Sequence, residues 1–228
     1  MLSDLRAIAF DLDNTLWDVE PVLERAEQCL TAWLQQHCPR MPLSRAEMRA
    51  AREQLALREP HQAHDVSYLR VTALAAHARE HGYDERLAAQ AFEVFLAARN
   101  QVEIFSDVAP ALARLRRRYA LASLSNGNAD LERIGLAHVF SVTLSARTIG
   151  AAKPERRCFE RLAQELALPP TAIAYVGDDP RLDVEAARAA GLRTVWMNRR
   201  GLPWPAELLP ADVTVRDCAQ LVTALLLP

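Results

Sequence analysis

The spacing of hydrophobic positions changes along the chain at about residue 100. Across residues 21–100 glycine is almost absent, and apolar residues recur at the three- and four-residue spacing of a helix face. One such face consists of Leu23, Ala26, Leu30, Trp33 and Leu34. Beyond residue 100, short apolar runs alternate with helical patterns. The pattern predicts an all-helical block followed by alternating strands and helices.

Local signals divide the helical block into separate helices. Ser44 followed by Glu47 has the spacing of a capping box, which predicts the start of a helix. A further apolar face begins at Tyr68 and ends at Gly82. Asp84 is then predicted to cap the next helix.

Short apolar runs bounded by polar residues predict the strands of a buried sheet. They cover residues 5–10, 120–124, 140–144, 173–176, 193–197 and 212–215. Helical patterns cover residues 154–166, 183–190 and 221–227. This alternation predicts an α/β fold in which a mainly parallel central sheet has helices on both faces.

Polar residues follow several predicted strands at the point where each strand ends. They are Asp11, Asp13 and Thr15, then Ser125 and Asn126, then Lys153 ahead of a helix, and finally Asp178, Asp179 and Asp183. Because ligands bind at the carboxyl ends of parallel strands, we expect one shared crevice. Several carboxylates so close together repel one another, and a divalent cation removes that conflict. Mg²⁺ suits such a set of oxygen ligands.

The same residues supply the groups that phosphoryl transfer needs, which are positioning and charge neutralisation. Lys153 and Ser125 offer donors to a phosphate dianion. An aspartate is an established nucleophile, and a second carboxylate two residues later can act as acid and base. Each motif alone is typical of a turn or a helix cap. All four in order predict a Mg²⁺-dependent phosphatase with Asp11 as the nucleophile.

These motifs resemble the four signatures of the haloacid dehalogenase-like hydrolase superfamily. Residues 11–15, Asp-Leu-Asp-Asn-Thr, resemble D-x-D-x-T, and Ser125 ends the second strand. Lys153-Pro154 resembles the third signature, and residues 177–183 resemble G-D-x-x-x-x-D. The resemblance covers nearly the whole chain. It implies a Rossmann-like three-layer core of residues 1–18 and 101–228, with an inserted helical cap domain of residues 19–100.

The resemblance also implies a role for each residue. Asp11 would be the nucleophile and a Mg²⁺ ligand, and Asp13 would be the acid and base, with its backbone carbonyl on the metal. The other implied roles are metal binding for Asp178 and phosphate binding for Ser125, Asn126, Lys153 and Thr15. Asp183 would lie just outside the metal ligands or orient Lys153, and Asp179 would also lie just outside the metal ligands.

Asp13 bears on the activity within this superfamily. Members that cleave carbon–halogen bonds lack an acid at this position and need no metal, because halide leaves without protonation. Asp13 therefore favours a phosphatase over a 2-haloacid dehalogenase. Phosphomutases keep both aspartates and stay an alternative, and a non-catalytic binding module is a third reading.

The substrate is expected to be a small phosphorylated metabolite. Short stretches at residues 15–23, 58–66 and 126–128 resemble the branch that dephosphorylates flavin mononucleotide and the phosphorylated ribitylaminouracil intermediate of riboflavin biosynthesis. Trp17, His64 and Arg70 are the candidate specificity residues. The alternatives are a solvated helix face for His64 and Arg70, and packing for Trp17.

Composition narrows the possible partners. Half of the 228 residues are hydrophobic and the formal net charge is -2, so no overall basic field attracts nucleic acid. The arginine run within residues 114–118 is expected on a solvated helix face. Four cysteines without a C-x-x-C pair predict reduced thiols in a cytoplasmic protein. No apolar run approaches the length that spans a bilayer. We expect a monomer or homodimer that acts on a small-molecule phosphate ester.

Overall fold

The computed structural model describes residues 4–226 and divides into two compact units. The larger unit takes in the chain up to Asp18, then Glu103–Gly127, and the chain from Leu131 onward. The smaller unit consists of Val19–Val102 together with Asn128–Asp130.

The smaller unit is built from four helices around one apolar core. They are α1 (Val19–His37), α2 (Arg45–Arg58), α3 (Val66–Glu80) and α4 (Leu87–Arg99). Each lies where helical periodicity predicted a helix. The core includes Ala26 and Leu30 from α1, Leu74 from α3 and Phe95 from α4, all at most 2% exposed.

The predicted capping box at the start of α2 is confirmed. The hydroxyl of Ser44 accepts a hydrogen bond from the Glu47 backbone N–H at 3.1 Å, and the Glu47 carboxylate accepts one from the Ser44 N–H at 2.8 Å. The predicted cap at Asp84 is wrong. Helix α4 begins at Leu87, and Asp84 instead accepts hydrogen bonds from the backbone and guanidinium of Arg86.

The larger unit contains a six-stranded sheet in which every neighbouring pair of strands is parallel. The strands are β1 (Ala7–Phe10), β2 (Ala120–Ser125), β3 (Val142–Ser145), β4 (Ile173–Gly177), β5 (Arg193–Met197) and β6 (Val213–Val215). Their order is β3-β2-β1-β4-β5-β6. The chain moves outward from β1 in one direction first and then, from β4, in the other. The boundary between β1 and β4 is therefore the switch point where such sheets bind ligands.

Helices pack around this sheet as the α/β prediction required. They are α5 (Val108–Leu115), α6 (Leu131–Ile134), α7 (Ala146–Ile149), α8 (Arg156–Leu166), α9 (Ala186–Ala189) and α10 (Cys218–Leu226). The helix predicted for residues 183–190 begins earlier, with a π-helical segment at Pro180–Glu185 that leads into α9. The last residue of the predicted tail helix, Leu227, lies outside the described residues.

The strand register sets which loops meet. Phe10 at the end of β1 aligns with Ser123 in β2 and with Val176 in β4. Residues that follow Phe10 therefore emerge level with the ends of both neighbouring strands. All four residues of β1 are fully buried, as expected for a strand at the centre of the sheet. Within residues 4–226, no helix is both long enough and apolar enough to cross a membrane.

Loss of the capping box should destabilise the protein measurably. Ser44→Ala removes the acceptor for the Glu47 N–H, and such a loss costs about 1 kcal/mol. We expect the melting temperature to fall by roughly 2–4 °C. Ser44→Asp keeps an acceptor and should stay near the wild-type value. Equal melting temperatures for Ser44→Ala and wild type would show that the cap contributes nothing.

Candidate active site

Eight of the residues singled out from the sequence line one pocket at the carboxyl ends of β1, β2 and β4. The pocket measures about 190 Å³. The eight residues are Asp11, Asp13, Ser125, Asn126, Lys153, Asp178, Asp179 and Asp183, and Asn14, Gly127 and Leu182 complete the lining. The strand order and register thus bring together side chains up to 172 positions apart in the chain (183 − 11).

A buried ammonium group lies at the base of this pocket. Lys153 is 5% exposed, and its Nζ donates to Asp11 Oδ1 at 2.7 Å, to Asp183 Oδ1 at 2.6 Å and to the Tyr175 hydroxyl at 2.9 Å. These bonds engage all three ammonium protons. Burial acts to lower the pKa of Lys153, but the Asp11 and Asp183 carboxylates raise it well above its usual value. The lysine therefore stays charged.

The carboxylates of the pocket carry more negative charge than this lysine compensates. Burial raises the pKa of Asp11 well above its usual value, Lys153 opposes the change, and Asp183 adds to it. Burial, followed by repulsion from Asp183 and Asp179, raises the pKa of Asp178 to about 7. A further positive charge nearby would lower the pKa of both Asp11 and Asp178 and stabilise their charged forms.

The carboxylates also fit a metal ion geometrically. Asp11, Asp178 and Asp183 each offer an oxygen atom, and these atoms lie within 4.8 Å of one another. Mg²⁺ binds oxygen ligands at about 2.1 Å, so small side-chain shifts would bring Asp11 and Asp178 to a single ion. Both oxygens of Asp183 already accept hydrogen bonds, from Lys153 and from the Asp179 N–H. The hard oxygen donors of these carboxylates, together with the excess negative charge, suit Mg²⁺ better than a soft metal.

Gly177 is required by the close approach of Asp183. A Cβ atom on Gly177 would lie 2.3 Å from both Cγ and Oδ2 of Asp183, too close for any side chain. The absence of a Cβ lets the Asp183 carboxylate lie against the end of β4. There its Oδ2 accepts the Asp179 backbone N–H at 3.0 Å while its Oδ1 holds Lys153.

Asn126 connects the loop after β2 to the segment that carries Lys153. Its side chain donates to the Lys153 carbonyl at 2.9 Å and accepts from the Lys153 N–H at 2.8 Å. The Ser125 hydroxyl accepts the Gly127 N–H at 3.0 Å. The side chain of Asn126 thus positions the lysine, while Asn126 and Ser125 both line the pocket.

Asp13 is held by a neighbour in its own loop. The indole N–H of Trp17 donates to Asp13 Oδ1 at 2.8 Å, and Trp17 is fully buried. Thr15 is also fully buried, and its hydroxyl finds no hydrogen-bond partner within residues 4–226. Neither Trp17 nor Thr15 lines the pocket.

The two other candidate specificity residues belong to the smaller unit. His64 is half-buried in the turn that precedes α3. Arg70 is 4% exposed, forms two hydrogen bonds to Glu27 at 2.7 and 3.2 Å, and lies 3.7 Å over the ring of Phe95. The alternative of a solvated helix face is therefore wrong for Arg70, since its charge is matched inside the unit.

Sequence reasoning missed Tyr175 altogether. This residue is 1% exposed in the middle of β4, accepts from Lys153 and donates to the Leu124 carbonyl at 2.8 Å. The available signal was a hydroxyl-bearing side chain within an otherwise apolar strand, since buried hydroxyls are normally bonded. Asp179 has a further role as well, because its side chain caps the segment Pro180–Glu185.

The cysteines offer no competing nucleophile. All four are free. Burial raises the pKa of Cys158 to about 11 and that of Cys218 to about 12, so both remain thiols at neutral pH. None of the four lines the pocket, so a thiol is not its nucleophile.

Comparison with known proteins finds both phosphatases and dehalogenases. A model of haloacid dehalogenase-like hydrolases matches residues 5–191. The chain is 28% identical over 218 residues, 92% of each chain, to the 5-amino-6-(5-phospho-D-ribitylamino)uracil phosphatase of Escherichia coli K12. It is 30% identical over 211 residues, 86% of this chain and 84% of the relative, to an (S)-2-haloacid dehalogenase of Pseudomonas sp. strain YL. The crystal structure of a 2-haloacid dehalogenase from Pseudomonas syringae pv. tomato DC3000 matches with a TM-score of 0.93 and 36% identity, over 97% of this chain and 98% of that one.

The raised pKa of Asp178 predicts a pH-dependent loss of stability in metal-free protein. The folded state holds the proton up to about pH 7, whereas the unfolded chain releases it near 3.8. Stability should therefore fall as pH rises between these values. Asp178→Asn removes this penalty and should stabilise the protein at pH 8 in EDTA by about 1–3 kcal/mol. The gain should vanish near pH 4.

Denaturant unfolding across this pH range measures the effect, with exposed Asp4→Asn as the matched control. A difference in unfolding free energy between Asp178→Asn and wild type that stays constant at all pH values would contradict the prediction.

Substitution of Gly177 should disrupt the ion pairs of Lys153. Gly177→Ala forces Asp183 away from β4, and breaking a buried ion pair costs about 3–5 kcal/mol. The control is Gly201→Ala, where φ is +65° and nothing lies within 4 Å of the new Cβ. Backbone strain there should cost about 1 kcal/mol. Equal destabilisation of both variants in urea would show that contact with Asp183 is unimportant.

Proposed function

Because the chain belongs to the haloacid dehalogenase-like hydrolase family, we propose that it is a phosphatase that hydrolyses small phosphate monoesters with Asp11 as nucleophile. The observation that carries the proposal is the pair Asp11 and Asp13, whose carboxyl groups both line one pocket. Cleavage of a carbon–halogen bond needs only the first of them. Cleavage of a phosphate ester needs a proton for the departing oxygen, and Asp13 can supply it.

The reaction starts from a phosphate group held in the pocket. Ser125 and the backbone of Asn126 bind its oxygens, and the positive charge of Lys153 offsets the charges of phosphate and carboxylates. Lys153 holds Asp11 Oδ1, which leaves Oδ2 as the attacking oxygen. Asp11 attacks phosphorus, and the ester oxygen leaves with the proton of Asp13. Water, deprotonated by Asp13, then releases inorganic phosphate from Asp11.

Asp11, Asp178 and the Asp13 backbone carbonyl would hold Mg²⁺, with Asp183 supporting them through Lys153. When bound, the ion supplies positive charge that favours approach of an anionic phosphate to an anionic nucleophile. The supporting observations are the 4.8 Å cluster of carboxylate oxygens and the raised pKa values of Asp11 and Asp178.

A small phosphorylated metabolite is the proposed substrate, with flavin mononucleotide or the ribitylaminouracil phosphate of riboflavin biosynthesis as the first candidates. Support comes from the activity of the E. coli relative, a match that covers 92% of each chain. A pocket of about 190 Å³ is smaller than the roughly 300–1,000 Å³ of typical ligand sites. It suits the phosphate, so the rest of the substrate is recognised elsewhere. We propose a cytoplasmic location for this activity.

A 2-haloacid dehalogenase is the second candidate. It is favoured by the likeness to the dehalogenase structure from P. syringae, at 36% identity and a TM-score of 0.93. The same Asp11 would then displace halide from carbon, with no role for Asp13 as an acid.

One assay separates the two candidates. Purified protein is given flavin mononucleotide, sugar phosphates and p-nitrophenyl phosphate, with Mg²⁺ or EDTA, and 2-chloropropionate in parallel. We expect phosphate release that depends on Mg²⁺, and no chloride release. Asp11→Asn should abolish turnover, because an amide is not a usable nucleophile. Asp13→Asn should lower the rate by roughly 10²–10⁴-fold.

Asp4→Asn, an exposed change, is the control and should retain full activity. Chloride release in EDTA, undiminished by Asp13→Asn, would establish the dehalogenase instead. Phosphate release at the wild-type rate by Asp13→Asn would refute the assigned mechanism.

A further inference from the structure

We propose that Trp17 is a positioning residue for the proton transfer to the leaving group, which its indole N–H directs to Asp13 Oδ2. The inference rests on the proposed phosphatase function. It assigns Trp17 a role different from substrate recognition, since the side chain is fully buried and does not line the pocket.

The indole is held rigidly in its place. The backbone of Trp17 forms bridges to Asp13 and to Ile104. The carbonyl of the preceding residue, Leu16, accepts a hydrogen bond from the Phe105 N–H at 3.0 Å. A fully buried ring in such a setting cannot rotate without displacing its neighbours. Its one polar atom, Nε1, lies 2.8 Å from Asp13 Oδ1.

This contact makes the two oxygens of the Asp13 carboxyl group unequal. An indole N–H donates and never accepts. Oδ1 therefore presents a lone pair to Trp17. Because the carbonyl oxygen of a carboxyl group accepts more strongly than its hydroxyl oxygen, the contact favours a proton on Oδ2. The terminal torsion of an aspartate is otherwise broad and lets its two oxygens exchange. The contact with Trp17 restricts that exchange, so the oxygen that donates the proton in the proposed reaction is Oδ2.

An oxygen of Asp11 forms a bond to phosphorus while the bond from phosphorus to the ester oxygen breaks, and the bonding electron pair stays on the ester oxygen. That oxygen takes the proton from Asp13 Oδ2 and leaves as an alcohol. Asp13 remains as a carboxylate, ready to accept a proton from the water that releases phosphate from Asp11.

The effect of losing the Trp17 N–H on the hydrolysis rate should therefore depend on the leaving group. An alkoxide is a strong base that departs poorly without a proton, whereas p-nitrophenolate departs readily without one. A misplaced Asp13 proton therefore slows alkyl phosphates, the class that includes sugar and ribityl phosphates, more than activated aryl phosphates.

Trp17→Phe tests this by removing the N–H while keeping an aromatic ring. The measured quantity is kcat/KM with Mg²⁺ for glycerol 2-phosphate and for p-nitrophenyl phosphate. We expect a fall of roughly 10–100-fold for the alkyl ester, part of the contribution of a general acid, and less than about 3-fold for the aryl ester. Trp204→Phe, which removes an indole N–H bonded to the Leu208 carbonyl, is the matched control and should change neither.

Two further variants keep the result interpretable. Replacement of Trp17 by benzothienylalanine exchanges N–H for sulfur in a ring of nearly the same shape, and it should reproduce the selective fall even if Trp17→Phe folds poorly. In an Asp13→Asn background, Trp17→Phe should leave the ratio of the two kcat/KM values unchanged, because the proton donor is already gone.

The outcomes distinguish the inference from the function on which it rests. A wild-type protein that hydrolyses neither ester would overturn the proposed function and the inference with it. A wild-type protein that hydrolyses both, with equal falls or no falls in the Trp17 variants, would overturn the inference alone and make Trp17 a packing residue.

Discussion

The ammonium group of Lys153 is buried at 5% exposure, and the architecture of the pocket depends on satisfying it. An uncompensated buried charge is costly, so its three protons each need an acceptor. The three acceptors are Asp11, which follows β1, Tyr175 within β4, and Asp183 in the segment after β4. The lysine therefore connects the two central strands of the sheet at the place where their loops diverge.

Other features follow from that requirement. Asp183 can reach the lysine only because Gly177 has no Cβ, and the lysine's own backbone is held by Asn126 from the loop after β2. Because all three ammonium protons of Lys153 are already hydrogen-bonded, the lysine contributes positive charge to the pocket and no further hydrogen-bond donor. The excess of carboxylates over this single cation then explains why the site suits a divalent metal and a phosphate together.

The sequence predicted those parts of the fold that depend on local pattern. Strand positions, helix faces and the capping box at Ser44 follow from spacing alone, and so does the meeting of polar residues at the strand ends. What it missed depends on distant partners. Tyr175 bonds to Lys153 across 22 positions and Arg70 to Glu27 across 43. A local pattern also misplaced the Asp84 cap, because Asp84 is already engaged by Arg86.

The bridge between Trp17 and Ile104 joins the two points where the long helical insertion leaves and re-enters the larger unit. The loop that carries Asp11 and Asp13 is thus closed by bonds within that unit, so changes in the insertion do not reach it through these two junctions. One covalent route remains, because Asn128 is only three residues beyond Ser125, a span of at most about 11 Å. In evolution the insertion can therefore vary in sequence while the loop of Asp11 and Asp13 stays constant, provided that residues 128–130 change with it.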